Sequence, residues 1–349
     1  MDGYRHDAYG ARMSSPDGPA PGGWWERASL DARLAAALQA NPRVSWRDLA
    51  KAVDSSESTV ARRVRALTTS GALRTTVVVD SIRTGQGFPV TVYFAVTNKS
   101  LRTLADHLVA RADVRMVAVL TGRYGLLAEF ITPSTQDLAT ILLDTLTGVD
   151  ATFETMSEPV LREFKSTVDW SHSLVADLPG VRLPLLDLAP AEEPAPLDAV
   201  EEVIAERLRV DGRMSFADLA QATGLSESAV RRRTDALIAT GRVHPVTLVD
   251  AQLLGFGIQA FAWVDLEPAA LADAVRALAA RQEVRYVAAT AGDSDLLVEL
   301  TVPAQADLFR FRTEVLGTLP GVRGTRVSIN IRTLKRAFLP LEAPGPAGE

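Results

Sequence analysis

Residues 213–243 read RMSFADLAQATGLSESAVRRRTDALIATGRV, and residues 43–73 read RVSWRDLAKAVDSSESTVARRVRALTTSGAL. The two stretches align in one register at an offset of 170 residues, which we use to define sister positions. Agreement at many spaced positions of a single register indicates a duplicated segment. The matched pairs are Ser45/Ser215, Leu49/Leu219, Ser58/Ser228, Arg62/Arg232, Arg63/Arg233, Leu67/Leu237 and Gly71/Gly241.

The duplication continues beyond these stretches and divides the chain into parts. VRMVAVLTGRYGLLAEF (residues 114–130) lies over VRYVAATAGDSDLLVEL (residues 284–300). A stretch rich in Pro and acidic residues (176–197) is typical of a semi-extended linker. The polar, Gly- and Pro-rich residues 1–28 predict a disordered tail rather than a signal peptide, and residues 339–349 a second tail. We name the remaining parts head 1 (29–74), module 1 (75–175), head 2 (198–244) and module 2 (245–338).

Composition narrows the class of protein. A chain of 349 residues with 47% hydrophobic and 23% charged residues is typical of a protein with two or more compact domains. No apolar run approaches the length of a membrane span. The absence of cysteine excludes disulfides, thiolate metal sites and cysteine nucleophiles, and a cytoplasmic protein is expected.

Each head is predicted to contain three short helices. Serines followed three residues later by Asp, at Ser45 and Ser215, resemble capping boxes and mark a helix start, and Ser56 and Ser226 open the next helix. This order predicts a helix-turn-helix, in which the last helix enters the major groove of DNA. Although the net charge of the chain is -6, residues 43–74 contain seven Lys and Arg against three Asp and Glu, and residues 212–244 contain five against three.

The candidate DNA contacts lie at the start of the last helix of each head, away from its apolar stripe. Arg binds guanine or phosphate, and Ser and Thr bind phosphate or base edges. A solvated face, or pairing of the arginines with acids such as Asp235, is the alternative for these residues, and Arg63 and Arg233 in particular have a structural alternative. The candidates are Ser56, Ser58, Thr59, Arg62, Arg63, Ser226, Ser228, Arg231, Arg232 and Arg233.

Both modules are predicted to have the order βαββαβ of the ferredoxin-like fold, with last strands over 149–156 and 324–331. The middle turns read GRYG and GDSD. Asp293 and Asp295 are interpreted either as ligand-binding carboxylates or as turn formers, since Asp favours such turns regardless of function. A metal site is less favoured, because no His or further carboxylate is near in sequence. Glu129 and Glu299, in the strands that follow, either face a pocket or pair with an Arg.

These motifs resemble the Lrp/AsnC (feast/famine) transcription regulators. The family pattern is matched closely by GLSESAVRRRTDALIATGRV in head 2 and VRYVAATAGDSD in module 2. Head 1 instead lacks the Leu before the first Ser of this motif, and module 1 has Gly125 in place of an acidic residue. The resemblance covers residues 29–175 and 197–338. It implies an α+β protein with two winged or plain helix-turn-helix heads, two ferredoxin-like effector (RAM-type) modules and no cofactor.

The resemblance also implies partners. Family members act as dimers on double-stranded DNA, so the fused chain is expected to form an intrachain pseudo-dimer, with residues 75–79 pairing with 246–249, and to associate further. A small-molecule effector, usually an amino acid, would bind at the middle turns. The implied effector residues are Gly292, Asp293, Ser294 and Asp295 in module 2, with Gly122, Arg123 and Tyr124 as their counterparts in module 1.

Two other functions compete with this one. Relatives with the same layout include proteins resembling siroheme decarboxylase, which need His and Arg for a tetrapyrrole's carboxylates; the four His of this chain (His6, His107, His172 and His244) occupy no sister positions. A ligand-sensing module that has lost DNA binding is the other alternative. Because no catalytic triad, P-loop or dinucleotide fingerprint is present, we expect no enzyme activity.

Overall fold

The computed structural model describes residues 21–146, 149, 151, 153–167, 170–175 and 193–341, so most of the predicted linker and tails lies outside the described residues. One part of the first tail departs from the prediction: Pro21–Arg27 forms helix α1. Trp24 and Trp25 of α1 pack against head 1, and the Trp24 indole N–H donates to the carbonyl of Leu254 at 3.2 Å. Two tryptophans supply the apolar area that the rest of this polar stretch lacks.

Head 1 consists of α2 (Leu30–Ala40), α3 (Trp46–Ala52) and α4 (Glu57–Thr69). The hydroxyl groups of Ser45 and Ser56 each accept an N–H of the helix that follows, as the sequence pattern predicts, and that of Ser29 does the same for α2. Leu34, Leu38, Leu49, Val60 and Val64 fill the core between the three helices.

Head 2 repeats this arrangement with α7 (Ala199–Val210), α8 (Phe216–Thr223) and α9 (Glu227–Ala239). The turn between the second and third helices requires a left-handed backbone at one position. Gly224 provides it in head 2 with φ 72°, whereas Asp54, its sister, does so in head 1 with φ 52°. Asp is one of the few residues with a side chain that tolerates this conformation.

The heads are joined by a two-stranded ladder. β1 (Leu73–Val79) pairs antiparallel with β6 (Val243–Val249), so that Thr75 faces Thr247 and Val79 faces Val243. The predicted pairing of these strands is therefore confirmed, but residues 75–79 face 243–247 rather than 246–249. Val77 and Val79, which follow head 1 in the chain, enter the core of head 2.

The two modules have the predicted element order. Module 1 contains β2 (Phe88–Val96), α5 (Asn98–Ala110), β3 (Val114–Leu120), β4 (Leu126–Thr132), α6 (Thr135–Thr140) and β5 (Phe153–Lys165). Module 2 contains β7 (Ile258–Leu266), α10 (Leu271–Ala279), β8 (Val284–Thr290), β9 (Leu296–Val302), α11 (Gln305–Arg310) and β10 (Val322–Arg336). The prediction of a tail from residue 339 is wrong at its start, because the short β11 (Leu339–Pro340) pairs with β10. A π-helical turn continues both α6 and α11.

The module sheets close on each other. The order β10-β3-β4-β2-β5-β8-β9-β7, with β7 paired again to β10, makes a closed antiparallel barrel of eight strands. β5 pairs with β2 up to Pro159 and with β8 from Val160 onward, and β10 likewise leaves β7 for β3 at Asn330. Both strands are longer than predicted, because each continues into the sheet of the other module.

The barrel interior is lined by aromatic and aliphatic side chains of both modules, including Tyr93, Phe261, Trp263 and Tyr286. The helices cover the outer faces over two separate apolar cores. None of the helices in the described part of the chain is long and apolar enough to cross a membrane.

Candidate functional site

The exposed faces of α4 and α9 form the candidate DNA interface. Ser56 Oγ accepts the N–H of Thr59 at 3.2 Å and lies 3.0 Å from Ser58 Oγ, so the first turn of α4 presents a cluster of hydroxyl groups. Ser226 and Ser228 repeat the arrangement, with their hydroxyl oxygens 3.1 Å apart. A helix start with exposed serine hydroxyls suits contact with a phosphate group.

Four arginines of these helices are exposed: Arg62 and Arg65 on α4, and Arg231 and Arg232 on α9. They lie off the buried stripe of each helix. The Arg231 guanidinium stacks over the Phe216 ring at 4.3 Å, whereas its sister position is Ala61. Arg65 of α4 has Asp235 as its sister, so the two exposed faces carry two arginines each and differ in charge at two positions.

Arg63 and Arg233 are instead engaged inside their heads. Arg63 forms a bidentate ion pair with Asp31 of α2, with Nε 2.8 Å from Oδ1. Arg233 Nη1 lies 2.5 Å from Oδ2 of Asp198, the N-cap of α7. The hydrogen bond to Arg233 lowers the pKa of Asp198. Both arginines thus fix the last helix of a head against its first, which favours the structural alternative for this pair.

The candidate effector turn of module 2 is closed by a carboxylate of module 1. The N–H and the hydroxyl of Ser294 donate to Glu158 Oε1 at 3.0 and 2.9 Å, and the Tyr93 hydroxyl donates to Oε2 at 3.0 Å. Glu158 is fully buried. Burial and this carboxylate raise the pKa of Tyr93 well above its usual value. A Cβ on Gly292 would lie 2.5 Å from Glu158 Cγ, so a side chain at this position would require Glu158 to shift.

The two acids of this turn have different surroundings. Asp295 Oδ2 accepts the N–H of Leu266 at 2.6 Å and lies 3.3 Å from Arg323 Nη2, so this side chain stabilises the hairpin. Asp293 is exposed, and no hydrogen bond of its carboxylate is found within the described ranges. The turn-forming interpretation therefore fits Asp295 and leaves Asp293 accessible to a ligand.

The sister turn in module 1 is filled differently. Tyr124 packs against Tyr93 with ring centroids 5.6 Å apart, and its hydroxyl donates to Met156 Sδ at 3.4 Å. The exposed Arg123 lies over the Tyr124 ring at 5.5 Å. Ser328, the sister of Glu158, faces Gly122. The two turns thus present opposite exposed charges, Arg123 and Asp293.

Glu129 and Glu299 pair with arginines. Arg115 binds Glu129 in a bidentate manner, with both distances 2.6 Å. Arg336 binds Glu299 at 2.8 and 3.1 Å, and Arg285 lies 3.5 Å away. In the part of the chain that the structure describes, no group of three or more His, Asp or Glu side chains is placed to hold a metal ion.

Sequence reasoning missed Glu158, although it completes the turn of module 2. It comes from another module, and no local pattern links residues 136 positions apart. The sister position holds Ser328, but most sister positions of these two strands differ, so the comparison of the copies does not single out Glu158.

Comparison with protein families confirms the double architecture. The model of the Lrp/AsnC ligand binding domain matches residues 90–170 and again 259–339. The model of the AsnC-type helix-turn-helix domain matches residues 29–68 and 197–238. Heads and modules therefore alternate twice along the chain.

Single-copy relatives match about two fifths of the chain. An uncharacterized HTH-type transcriptional regulator of Pyrococcus abyssi is 33% identical over 134 residues, which cover 38% of this chain and 85% of the relative. The HTH-type transcriptional regulator FL11 of Pyrococcus horikoshii is 30% identical over 141 residues, which cover 40% of this chain and 93% of the relative. Among solved structures, the siroheme decarboxylase NirDL aligns with a TM-score of 0.58 at 14% identity over 88% of this chain and 93% of its own. That likeness is one of fold.

Proposed function

The chain belongs to the Lrp/AsnC family of transcriptional regulators, and we propose that it binds specific double-stranded DNA through α4 and α9 under the control of a small-molecule effector. The observation that carries the proposal is the pair of exposed, arginine-bearing helices in two heads joined by the β1–β6 ladder. Two linked reading helices are the arrangement by which dimeric helix-turn-helix proteins bind paired half-sites.

Within each head we assign DNA contact to the exposed groups. Arg62, Arg231 and Arg232 are free to reach phosphate or guanine, and Ser58, Thr59 and Ser228 lie at the helix start beside them. Because Arg231 has no counterpart in head 1, the two half-sites are expected to differ. A DNA partner also implies a cytoplasmic location.

We propose an amino acid or a related metabolite as the effector. Asp293 offers a carboxylate to an ammonium group, and Arg123 offers a guanidinium to a carboxylate, each on the exposed side of its turn. Since Glu158 already occupies the inner side of the module 2 turn, the two turns are expected to bind a ligand unequally.

Higher association of the fused chain is part of the proposal. Leu161 and Ile331 are sister residues on β5 and β10, and they are 66% and 62% exposed. Large exposed aliphatic side chains at symmetric places favour contact with a second copy. Light scattering should then give a mass above that of one chain, and a lower mass for L161E/I331E.

An enzyme is the competing function, and only the fold likeness to NirDL favours it. His107 lies on α5 in module 1, with a buried Nε2 that has no partner among the described residues. His244 lies on β6, 3.5 Å from Asp80. The two histidines therefore belong to different structural units and do not form a common site.

The deciding experiment is fluorescence anisotropy of the purified chain with DNA from upstream of its own gene, across a salt series and against a scrambled duplex. Specific regulation predicts tighter binding to the native duplex and a log affinity that falls steeply with log salt. Equal, weak binding to both duplexes contradicts the proposal. A spectral shift on adding an iron tetrapyrrole would then favour the enzyme.

A further inference from the structure

The loops before α3 and α8 meet between the heads, and each sends an arginine into the opposite head. Arg43 of head 1 donates from Nη1 to the carbonyl oxygen of Gly212 at 2.7 Å and from Nη2 to that of Met214 at 3.3 Å. These acceptors lie 169 and 171 residues away along the chain. The Arg43 side chain therefore binds the backbone of the head 2 loop.

Arg213, the sister of Arg43, makes the reverse contact. Its Nη1 donates to the carbonyl of Pro42 at 2.7 Å, and its Nη2 donates to that of Val44 at 2.8 Å. Its guanidinium also stacks over the ring of Trp46, the first residue of α3, at 4.1 Å. The planar guanidinium holds two carbonyls at once, which a lysine ammonium does not match in geometry.

On the head 2 side the contact continues to the DNA-reading helix. Arg43 lies over the Phe216 ring at 5.1 Å, and Arg231 of α9 lies over the same ring at 4.3 Å. Phe216 therefore touches both the arginine from head 1 and an exposed cation of the reading helix. In head 1 the corresponding position is Ala61, so that link is absent there.

The loop that receives Arg43 is itself fixed to the strand ladder. The N–H of Gly212 donates to the carbonyl of Thr75 in β1 at 3.1 Å. A Cβ on Gly212 would lie 2.7 Å from the backbone nitrogen of Thr76, so the loop lies directly on the strand. The arginines therefore connect two heads and the ladder into one body.

The contact places two like charges in partly buried surroundings. Burial, followed by the charge of Arg43, lowers the pKa of Arg213 to about 10. Burial also lowers the pKa of Arg43, although Asp211 and Asp235 oppose the shift. Four carbonyl hydrogen bonds and two aromatic faces offset this repulsion.

We propose that Arg43 and Arg213 form a reciprocal clamp that fixes the separation and relative orientation of α4 and α9, so that the chain selects operators by the spacing of their half-sites. This inference rests on the proposed DNA binding. A rigid pair of reading helices fits half-sites in one helical phase, and insertion of about five base pairs turns one half-site to the opposite side of the duplex.

The first test uses the duplex that the wild-type chain selects from a randomised pool, with one to five base pairs inserted between its halves. Wild-type affinity is expected to fall at least tenfold for the five-base-pair insertion. In R43A/R213A the fall should be less than threefold. R43K/R213K retains both charges but loses the bidentate contacts, so it should resemble the alanine variant. If the wild type tolerates every insertion, or if the lysine variant is as strict as the wild type, the proposal is wrong.

The second test does not depend on DNA. Since the chain has no cysteine, K51C/Q221C carries spin labels at two exposed sister positions on α3 and α8. The distance distribution between the labels should be narrow, and it should broaden when R43K/R213K is added, at unchanged helix content by circular dichroism. Equal widths would contradict the clamp even if DNA binds. Failure to select any duplex would instead overturn the proposed function, while the label distances still decide whether the clamp exists.

Discussion

Lys165 and Lys335 occupy sister positions, and each caps a helix of the opposite module. Lys165 Nζ donates to the carbonyls of Ala279 and Arg281 at 3.1 and 2.8 Å, at the end of α10. Lys335 Nζ donates to the carbonyl of Val109 at 2.9 Å and to that of Arg111, at the end of α5. An ammonium group satisfies carbonyls that the helix end leaves unpaired and complements the helix dipole.

Replacement of Lys335 by methionine should lower the free energy of unfolding by about 1–3 kcal/mol, because two partly buried carbonyls lose their donor. Urea unfolding of K335M would measure this. K99M, which changes an exposed lysine at the opposite end of α5, is the matched control and should differ little from the wild type. Equal midpoints for both variants would show that the cap contributes nothing.

The arginines of the reading helices should separate into two classes. R62A and R232A are expected to weaken DNA binding by ~1–3 kcal/mol each if they contact bases, or to reduce the salt slope by about one if they contact phosphate. Their melting temperatures should be unchanged, since both side chains are exposed.

R63A and R233A are expected to show the opposite pattern. Each loses an ion pair within its head, so the melting temperature should fall, while the salt slope of DNA binding stays near that of the wild type. Anisotropy and calorimetry on all four single variants provide the comparison. A reduced salt slope in R63A or R233A would return those residues to the DNA interface.

The buried ion pairs of Glu299 with Arg336 and Arg285 predict that the stability of the fold depends on pH. Burial alone would raise the pKa of Glu299, but the charges of Arg336 and then Arg285 outweigh it and lower the pKa. The unfolded chain therefore takes up a proton at higher pH than the folded chain. The stabilisation is complete above the unfolded carboxyl pKa of about 4.3, and it disappears as the pH falls through the lower folded pKa.

E299Q should thus be less stable than the wild type by ~3–5 kcal/mol at neutral pH, because two buried arginines lose their counter-ion. This difference in stability should shrink as the pH falls from about 5 to about 3, because the pKa of Glu299 in the unfolded chain is about 4.3. Chemical unfolding at several pH values measures it. E206Q breaks an exposed pair with Arg209 and should show no such trend.

Gly292 and Glu158 should be coupled. G292A places a methyl group against the Glu158 side chain and is expected to lower the free energy of unfolding by about 1–3 kcal/mol. In the E158S background, which installs the residue found at the sister position, that loss should vanish. A double-mutant cycle by urea unfolding gives the coupling energy. Additive losses would mean that the close contact relaxes elsewhere.

Local patterns predicted most of the fold. Capping serines, apolar periodicity and the repeat located the heads and the order of strands in each module. They did not predict that β5 and β10 continue into the opposite module, because the partner strand lies far away in the sequence. Helix α1 within the predicted tail was not predicted for a similar reason, because Trp24 and Trp25 pack against residues of head 1 that lie elsewhere in the sequence.

The candidate site was predicted less completely. The positions of the reading helices and turns follow from local motifs, and so does the exposure of Arg62 and Arg232. Nothing in a single stretch distinguishes an arginine that reaches another head, such as Arg43, from one on a solvated surface. The partner of such a charged side chain comes from a distant segment of the chain, and neither composition nor local sequence identifies that segment.

The closed barrel makes the two copies inseparable, and this changes how the regulator can evolve. In a homodimer every substitution appears twice, once on each side of the symmetry axis. Here the sister pairs Glu158/Ser328 and Arg231/Ala61 differ, so a substitution in one copy leaves the other copy unchanged. Gene fusion thus allows the two heads, and likewise the two modules, to change independently while they remain in one molecule.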